Sequence, residues 1–281
     1  MRDERLFDAP VAVLLRWRAF EMSGAPLPRV IDISIVIPCH NEEAGLASLE
    51  QQLGPVLNTL RATSLVELVL VDDGSSDATW ERMQTLAAGS GLGAGHVVLR
   101  KHERNRGLGA ALRTGFAAAT GRIIVTTDSD ATYRFSEIPL LLERLTPGID
   151  IVTASPYHPQ GGVDGVPAYR LILSRGSSAI YRLIVGGQLH TYTALFRAYR
   201  QDVIRAVTFE ADGFLAVAEL LVNAIRSGYR VAEYPTVLHS RVAGVSKAKL
   251  ARTIAAHVRF QLAVLRQRMK FGPAKVSRTP A

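Results

Sequence analysis

The sequence predicts an α/β protein: a mainly parallel β-sheet with helices on both faces, plus an amphipathic helix at the C-terminal end. Three observations predict it. Short apolar runs of strand length recur between residues 31 and 155 and alternate with segments whose apolar residues fall at helical spacing. Strands that read as continuous apolar runs are those covered on both faces by crossover helices. Hydrophobic residues make up 48% of the 281 residues, enough to fill the core of one large domain.

The elements follow in order. IDISIVIP (Ile31–Pro38) is an apolar strand that stops at a proline. Asn41–Arg61 carries apolar residues at helical spacing and is expected to be a helix. VELVLVDDG (Val66–Gly74) is a second strand, ending in two acids and a glycine. Ser76–Ala88 reads as a helix with Ser75 or Ser76 as its N-cap. HVVLR (His96–Arg100) is a third strand, Leu108–Ala119 a helix of small residues, RIIVTTDSD a fourth strand, and DIVTAS (Asp150–Ser155) a fifth. There is no internal repeat. Ligands of such sheets sit at the carboxyl ends of the strands. Pro38–Glu43, Asp72–Asp77 and Asp128–Asp130 are therefore expected to line one crevice.

Asp128 and Asp130 stand two apart at the end of the fourth strand, and on an extended backbone both side chains point the same way. Two carboxylates that close repel unless a cation lies between them, and hard oxygen ligands suit Mg²⁺ or Mn²⁺. Ser129 and Thr132 offer further oxygens. The other reading is an acidic loop that caps the following Ser136–Leu145 segment. VDDGSSDAT (Val71–Thr79) reads either as turn chemistry before a helix or as an acid gripping a nucleotide. RNRGLGAALRTG has Gly107 and Gly109 but Leu112 where a dinucleotide loop wants a small residue. It is read as a tight turn and close helix packing. The Gly/Pro-rich stretch Pro156–Pro167 is a lid, an acceptor loop or an irregular connection. His190 and Tyr192 are weaker candidates for facing an acceptor.

Charge is unevenly placed. Residues 247–281 hold nine Lys/Arg and no acid, against 24 Lys/Arg and 25 Asp/Glu in the preceding 246 residues. The net +8 thus belongs to the tail, which attracts nucleic acid, an anionic membrane or a phosphorylated ligand. Leu250, Ile254, Val258, Leu262, Leu265 and Met269 follow helical spacing, with Gln261 as an alternative to Leu262. Lys249, Arg252, Arg259, Arg266 and Arg268 decorate the rest. This is the pattern of a helix lying on a membrane, or of one packed on its own domain with a solvated basic face. The sole cysteine, Cys39, allows no disulfide within the chain and fits a reducing compartment. PVAVLL (Pro10–Leu15) is broken by Arg16 and Arg18 and is expected to be neither a signal peptide nor a membrane span.

In combination, PCHNEEAGL, LVLVDDGSSDAT and RNRGLGAALRTGFAAATGRIIVTTDSDATY resemble glycosyltransferase family 2, the inverting enzymes of GT-A (Rossmann-like) fold. Downstream, DIVTASPYHPQGG, FRAYR, ADGF, GYRVAEYP and SRVAGVSK resemble its polyprenyl-phosphate branch, similar to dolichol-phosphate mannose synthase. The likeness runs from about Ile33 to Lys249. It implies an N-terminal extension at 1–30, a GT-A domain at 31–246, and a basic helix and tail at 247–281. It also implies transfer of a sugar from a nucleotide-diphosphate sugar to a polyprenyl phosphate, and a cytoplasmic protein held peripherally on the cytoplasmic face of a membrane, with no nucleic-acid partner. Pro38, Asn41, Glu42, Asp72 and Ser129 would meet the donor. Asp128, Asp130 and Thr132 would hold Mg²⁺ or Mn²⁺. Arg170, and Arg241 and Lys247 of R-x-x-G-x-S-K, would contact phosphates. Asp212 of ADGF would lie near the acceptor and orient groups. The chain departs from the branch in having Ser155-Pro156-Tyr157 for S-R-Y and Thr132 for a usual Gln. The rival readings are the same chemistry on a soluble or glycan acceptor, and a non-catalytic nucleotide-binding module. The sugar, the base and the oligomeric state stay open.

Overall fold

The computed structural model describes residues 31–89, 92, 96–186, 188–240 and 250–271. Its strands are β1 (Ile33–Cys39), β2 (Val66–Asp72), β3 (His96–Lys101), β4 (Ile123–Thr126), β5 (Ile151–Ser155), β6 (Gly162–Asp164), β7 (Arg197–Arg200), β8 (Val231–Pro235) and β9 (Val237–His239). Its helices are α1 (Leu46–Arg61), α2 (Thr79–Ala88), α3 (Leu108–Ala118), α4 (Ile138–Glu143), α5 (Ala168–Val185), α6 (Gln201–Ala206), α7 (Leu215–Arg226) and α8 (Leu250–Phe271).

Seven strands form one sheet in the order β3-β2-β1-β4-β7-β5-β8. β1 pairs in parallel with β2, from Ile33 opposite Val66 to Cys39 opposite Asp72, and in parallel with β4 on its other side. β7 runs antiparallel to both β4 and β5, which makes the sheet mixed. β6 and β9 form a separate parallel pair. The chain winds outward from β1 through β2 to β3, then returns to place β4 against β1's free edge. This reversal opens a crevice at the carboxyl ends of β1 and β4.

Every residue of β2 is buried, which is why the run is apolar throughout. Its one internal acid, Glu67, accepts hydrogen bonds from the Ser34 hydroxyl (2.5 Å) and from the amide and hydroxyl of Thr120. It thereby satisfies the turn that feeds β4. Gly121 in that turn is required, because a Cβ there would lie 2.6 Å from the Ser34 amide nitrogen. Helix α1 buries Leu46, Leu49, Leu53, Leu57 and Leu60 along one face. It starts at Leu46, later than the expected Asn41, because Asn41 is left-handed (φ 53°) and Glu42–Gly45 form a turn first. Helix α2 likewise starts at Thr79, where Asp77 accepts from the Thr79 amide in place of a serine cap. The segment expected as a helix from Ser136 is a 3₁₀ turn at Phe135–Glu137 running into α4.

Behind β7 a second core gathers Tyr181, Tyr192, Tyr199, Leu220, Leu221 and Val222. The fully buried Arg197 of β7 donates to the Thr153 hydroxyl (2.9 Å) and to the carbonyls of Val217 and Tyr192, tying the sheet to α7. Helix α8 belongs to this same compact unit. Its Val264 is 3% and its Gln261 6% exposed, with Ala256 and Phe260 packed against the second core. Gln261 donates to Ser177 Oγ (3.2 Å), and His257 shares a 2.9 Å hydrogen bond with the Tyr181 hydroxyl.

The helix therefore packs on the domain. The apolar stripe, expected either on a membrane or on the domain, lies off this docked face: Ile254, Val258, Leu262, Leu265 and Met269 are 38–71% exposed. The docked face combines Ala256, Phe260 and Val264 on the second core with Gln261 and His257, which find hydrogen-bond partners on α5. No helix among the described residues is long and apolar enough to cross a membrane.

Candidate active site

Strand β4 ends at Thr126, two residues before the first acid, so Asp128 and Asp130 sit on a loop. That loop is rigidly built. The Thr127 amide donates to the Val36 carbonyl and the Thr126 hydroxyl to the Leu195 carbonyl. Tyr133 stacks on Phe196 at 5.5 Å beneath it. Ala131 takes a left-handed turn (φ 54°), which lets the Thr132 amide reach Asp130 Oδ1 (3.2 Å) while its hydroxyl meets Asp128 Oδ2 (3.5 Å). Thr132 thus bridges the two acids. Asp130 is buried and Asp128 half-buried. Two carboxylates and a hydroxyl are a hard-oxygen donor set that suits Mg²⁺ or Mn²⁺. Such ions commonly bind through one or two carboxylates and take their remaining oxygens from phosphates.

Two cavities meet at this loop. The first, about 940 Å³, is lined by Pro38, Glu42, Asp128, Ser129, Asp130 and Asp212, together with Asp73, Arg106, Arg252 and Arg259. The second, about 570 Å³, runs between α5 and α8 past Thr132, Tyr157, Arg170, Ile172, Ile180, Ile254 and Val258. Asp128, Leu108, Phe214 and Thr253 border both. One end of the arrangement is charged and the other apolar, with an acid where they join.

Of the residues expected from sequence, Pro38, Glu42, Ser129, Asp128, Asp130 and Asp212 come together on the first cavity, and Thr132 and Arg170 on the second. Asp212 stands on the rim of the first cavity, its carboxylate paired with Arg113. Asn41 and Asp72 are set just behind that wall. Asn41 Oδ1 accepts from the Ser76 amide (2.8 Å) and its own amide donates to Ser75 Oγ (2.9 Å). Asp72 is fully buried and uses Oδ1 for Ser75, while Oδ2 has no hydrogen-bond partner among the described residues. A buried lone oxygen of this kind is costly unless a ligand donates to it. Arg241 and Lys247 lie outside the described residues.

Asp73 braces the loop beside the cavity. Its carboxylate accepts from His102 Nδ1 (2.7 Å) and from the amides of Arg106 and Gly107. Gly107 (φ 98°) and Gly109 allow the close packing expected of RGLG: a Cβ on Gly109 would lie 1.9 Å from the Ala211 carbonyl oxygen. The same turn also delivers Arg106 to the cavity.

Arg106, Arg252 and Arg259 go beyond the expected residues. A signal for the last two is their seven-residue spacing, which puts them on one helical face. Cys39 borders the first cavity, but burial, reinforced by Glu42 and Asp72, pushes its thiol far above the usual range, so it is an inert thiol. His190 and Tyr192, the weaker candidates, line neither cavity. His190 pairs with Glu233, and Tyr192 is buried against Tyr181.

The Glycosyl transferase family 2 profile matches residues 34–208, more than half of the chain, including the acidic loop. A dolichol-phosphate mannosyltransferase of Pyrococcus furiosus is 31% identical over 229 residues, covering 81% of this chain and 62% of that protein. The chain therefore spans less than two thirds of that relative's length. The polyprenol monophosphomannose synthase of Mycolicibacterium smegmatis is 32% identical over 219 residues, 76% of this chain and 79% of that one. A glucosyl-3-phosphoglycerate synthase of Mycobacterium tuberculosis, in complex with Mn²⁺, uridine-diphosphate-glucose and glycerol 3-phosphate, shares the fold. Its TM-score is 0.60 at 25% identity, over 85% of this chain and 80% of that one. The mixed sheet with its acidic loop at the strand reversal is the GT-A fold, and the chain belongs to glycosyltransferase family 2.

Proposed function

We propose that the chain transfers a sugar from a nucleoside-diphosphate sugar to a polyprenyl phosphate, with inversion at the anomeric carbon, while bound peripherally to the cytoplasmic face of a membrane. The observation that carries this reading is the pair of cavities, one charged and one apolar, that meet at Asp128. The names of the archaeal and mycobacterial relatives support the same acceptor class.

In this reading the donor occupies the first cavity. Asp72 Oδ2, with Pro38, Asn41 and Glu42 around it, takes the nucleoside end. The diphosphate lies against Arg106, Arg252 and Arg259, with Arg241 and Lys247 as further phosphate partners. Asp128, Asp130 and Thr132 would hold a divalent cation there, and Ser129 lies between the two acids. When bound, that cation supplies positive charge to the leaving diphosphate. The arginines add charge at the same place, where it counts most as the sugar–oxygen bond breaks.

The acceptor phosphate enters the second cavity against Arg170, and its polyprenyl chain runs along Ile172, Ile180, Ile254 and Val258. A phosphate oxygen attacks the anomeric carbon from the face opposite the diphosphate. The bonding pair leaves with the diphosphate oxygen. The phosphate is already mostly ionised at neutral pH, so no residue has to remove a proton. Asp212 then serves to position Arg113 and the cavity rim.

The test is a panel of sugar nucleotides with Mg²⁺ or Mn²⁺, offered polyprenyl phosphate in vesicles and, separately, phosphorylated soluble acceptors. Glycosylated lipid phosphate is the expected product. Transfer to the soluble acceptors alone would move the reaction to the soluble-acceptor class, and donor binding without any transfer would leave a nucleotide-binding module.

A further inference from the structure

Outside both cavities, three side chains from three separate segments converge. His158 lies on the loop after β5, His190 on the loop between α5 and β7, and Glu233 in β8. A ring nitrogen of each histidine and a carboxylate oxygen of Glu233 all lie within 4.8 Å of one another. This is the only trio of His, Cys, Asp or Glu ligand atoms so placed among the described residues. Ligands 2.0–2.2 Å from a tetrahedral ion stand about 3.4 Å apart, so a small closure would seat one.

Glu233 is set as a ligand would be. Its Oε1 accepts from Ser155 Oγ (2.6 Å) and from the amides of His190 (2.7 Å) and Thr191 (3.3 Å). Oε2 is thereby turned to His190 Nδ1 at 2.7 Å. Hydrogen bonds that orient a ligating carboxylate are part of a working metal site. The two imidazoles meet edge to face, centroids 5.1 Å apart at 76°, so their nitrogens converge without the rings stacking. His190 keeps 27% of its side chain exposed and Glu233 10%, which leaves an entry path and room for a water as the fourth ligand.

We propose that His158, His190 and Glu233 form a second cation site, for a zinc-class divalent ion, separate from the acidic loop. Two imidazoles and one carboxylate suit Zn²⁺ and its neighbours, whereas Mg²⁺ and Ca²⁺ prefer all-oxygen sites. The ion would bind the 156–167 loop to the segment that leads into β7. Tyr157 and Thr191, each next to a ligand, line the second cavity, so the ion would also fix the wall of that cavity.

The test uses full-length protein stripped with a chelator and titrated with Zn²⁺, and with Co²⁺ as a coloured probe. Wild type and Asp128→Asn/Asp130→Asn should each bind one Zn²⁺ per chain, gain thermal stability and give the visible band of tetrahedral Co²⁺. His158→Gln and His190→Gln should each weaken Zn²⁺ binding about tenfold or more and lose the Co²⁺ band. Their melting without metal shows whether they fold, and the half-exposed His158 alone suffices if His190→Gln does not. The site is overturned if the Asp128/Asp130 variant binds no Zn²⁺, or if folded His158→Gln binds it as tightly as wild type.

Discussion

The acidic loop separates what a single residue's identity reveals from what its neighbours decide. Asp128 and Asp130 stand out in sequence as carboxylates two apart after an apolar run, a pattern that suits a cation or a helix cap, and the structure sets both at the meeting of the cavities. The left-handed Ala131 and the bridging Thr132 hydroxyl are not, since they depend on a backbone turn after Thr126. Replacing Asp128 or Asp130 with Asn should cost transfer by about 10²–10³ or more, the scale of removing a charge-stabilising group from an active site. The fold should survive, because an amide oxygen still accepts from the Thr132 amide and a repelling charge is gone. Steady-state kinetics beside a thermal melt checks both; full activity in either variant, or indifference to EDTA, would remove the metal role. Arg106 is the harder case. A basic residue in a glycine turn looks like a solvated loop, and only the Asp73 brace turns it inward. Cys39 gives a second prediction at this scale. With its thiol 1% exposed and strongly resistant to ionisation, maleimide should label it only after denaturation. Rapid labelling of native protein would mean the first cavity opens more widely than the structure shows.

At the scale of the element, α8 teaches the most. Helical periodicity finds its existence and nearly its limits, but leaves open whether the apolar stripe is the docked side, and in the structure it is not. A stripe of Ile, Val, Leu and Met is the obvious buried side by composition. Docking instead uses Gln261, His257, Phe260 and Val264, because Ser177 and Tyr181 on α5 offer hydrogen bonds that an aliphatic stripe would waste. The stripe is left open beside the exposed Ile172, Ile180 and Leu183 of α5. The basic residues are also redistributed. Arg259 lines the first cavity, and Arg268 donates to the carbonyls of Leu183 and Ile184 at the end of α5. The proposed membrane docking should therefore rest on the apolar stripe more than on these charges. Burying a leucine in an apolar phase contributes about 1.5–3 kcal/mol. Both are about two-fifths exposed, so Leu262→Gln with Leu265→Gln should lower partitioning onto phosphatidylglycerol vesicles by about tenfold or more. Leu140→Gln, equally exposed on α4, should not. Flotation that is indifferent to the double change would make the stripe an ordinary surface or an interface with protein.

For the molecule as a whole, the parallel half of the sheet is legible because each of its strands is a contiguous apolar run. The reversed β7 is hidden: RAYR carries two arginines, and what makes it a central strand is the burial of Arg197 among partners distant in sequence. The same long-range assembly sets α8 across both cavities, and it should make the second cavity sensitive to pH. His257 borders the second cavity and is hydrogen-bonded to the Tyr181 hydroxyl. Burial holds its pKa below the ordinary 6.5, so the docked helix takes up a proton less readily than the released one. The stabilisation is therefore complete above about pH 6.5 and is lost as pH falls towards the lowered value. Hydrogen exchange across residues 250–271 should accelerate in that window while β1 and β2 stay protected. His257→Gln keeps a partner for Tyr181 but carries no titrating group, so its exchange should be flat with pH. The comparison is made without substrate, because an acceptor phosphate also changes charge near pH 6 and would blur a rate profile. If α8 of the wild type exchanges at a rate independent of pH, apart from the intrinsic chemical rate, the helix does not depend on neutral His257. Its docking would then rest on its other contacts, among them Val264, Phe260, Gln261 and Arg268.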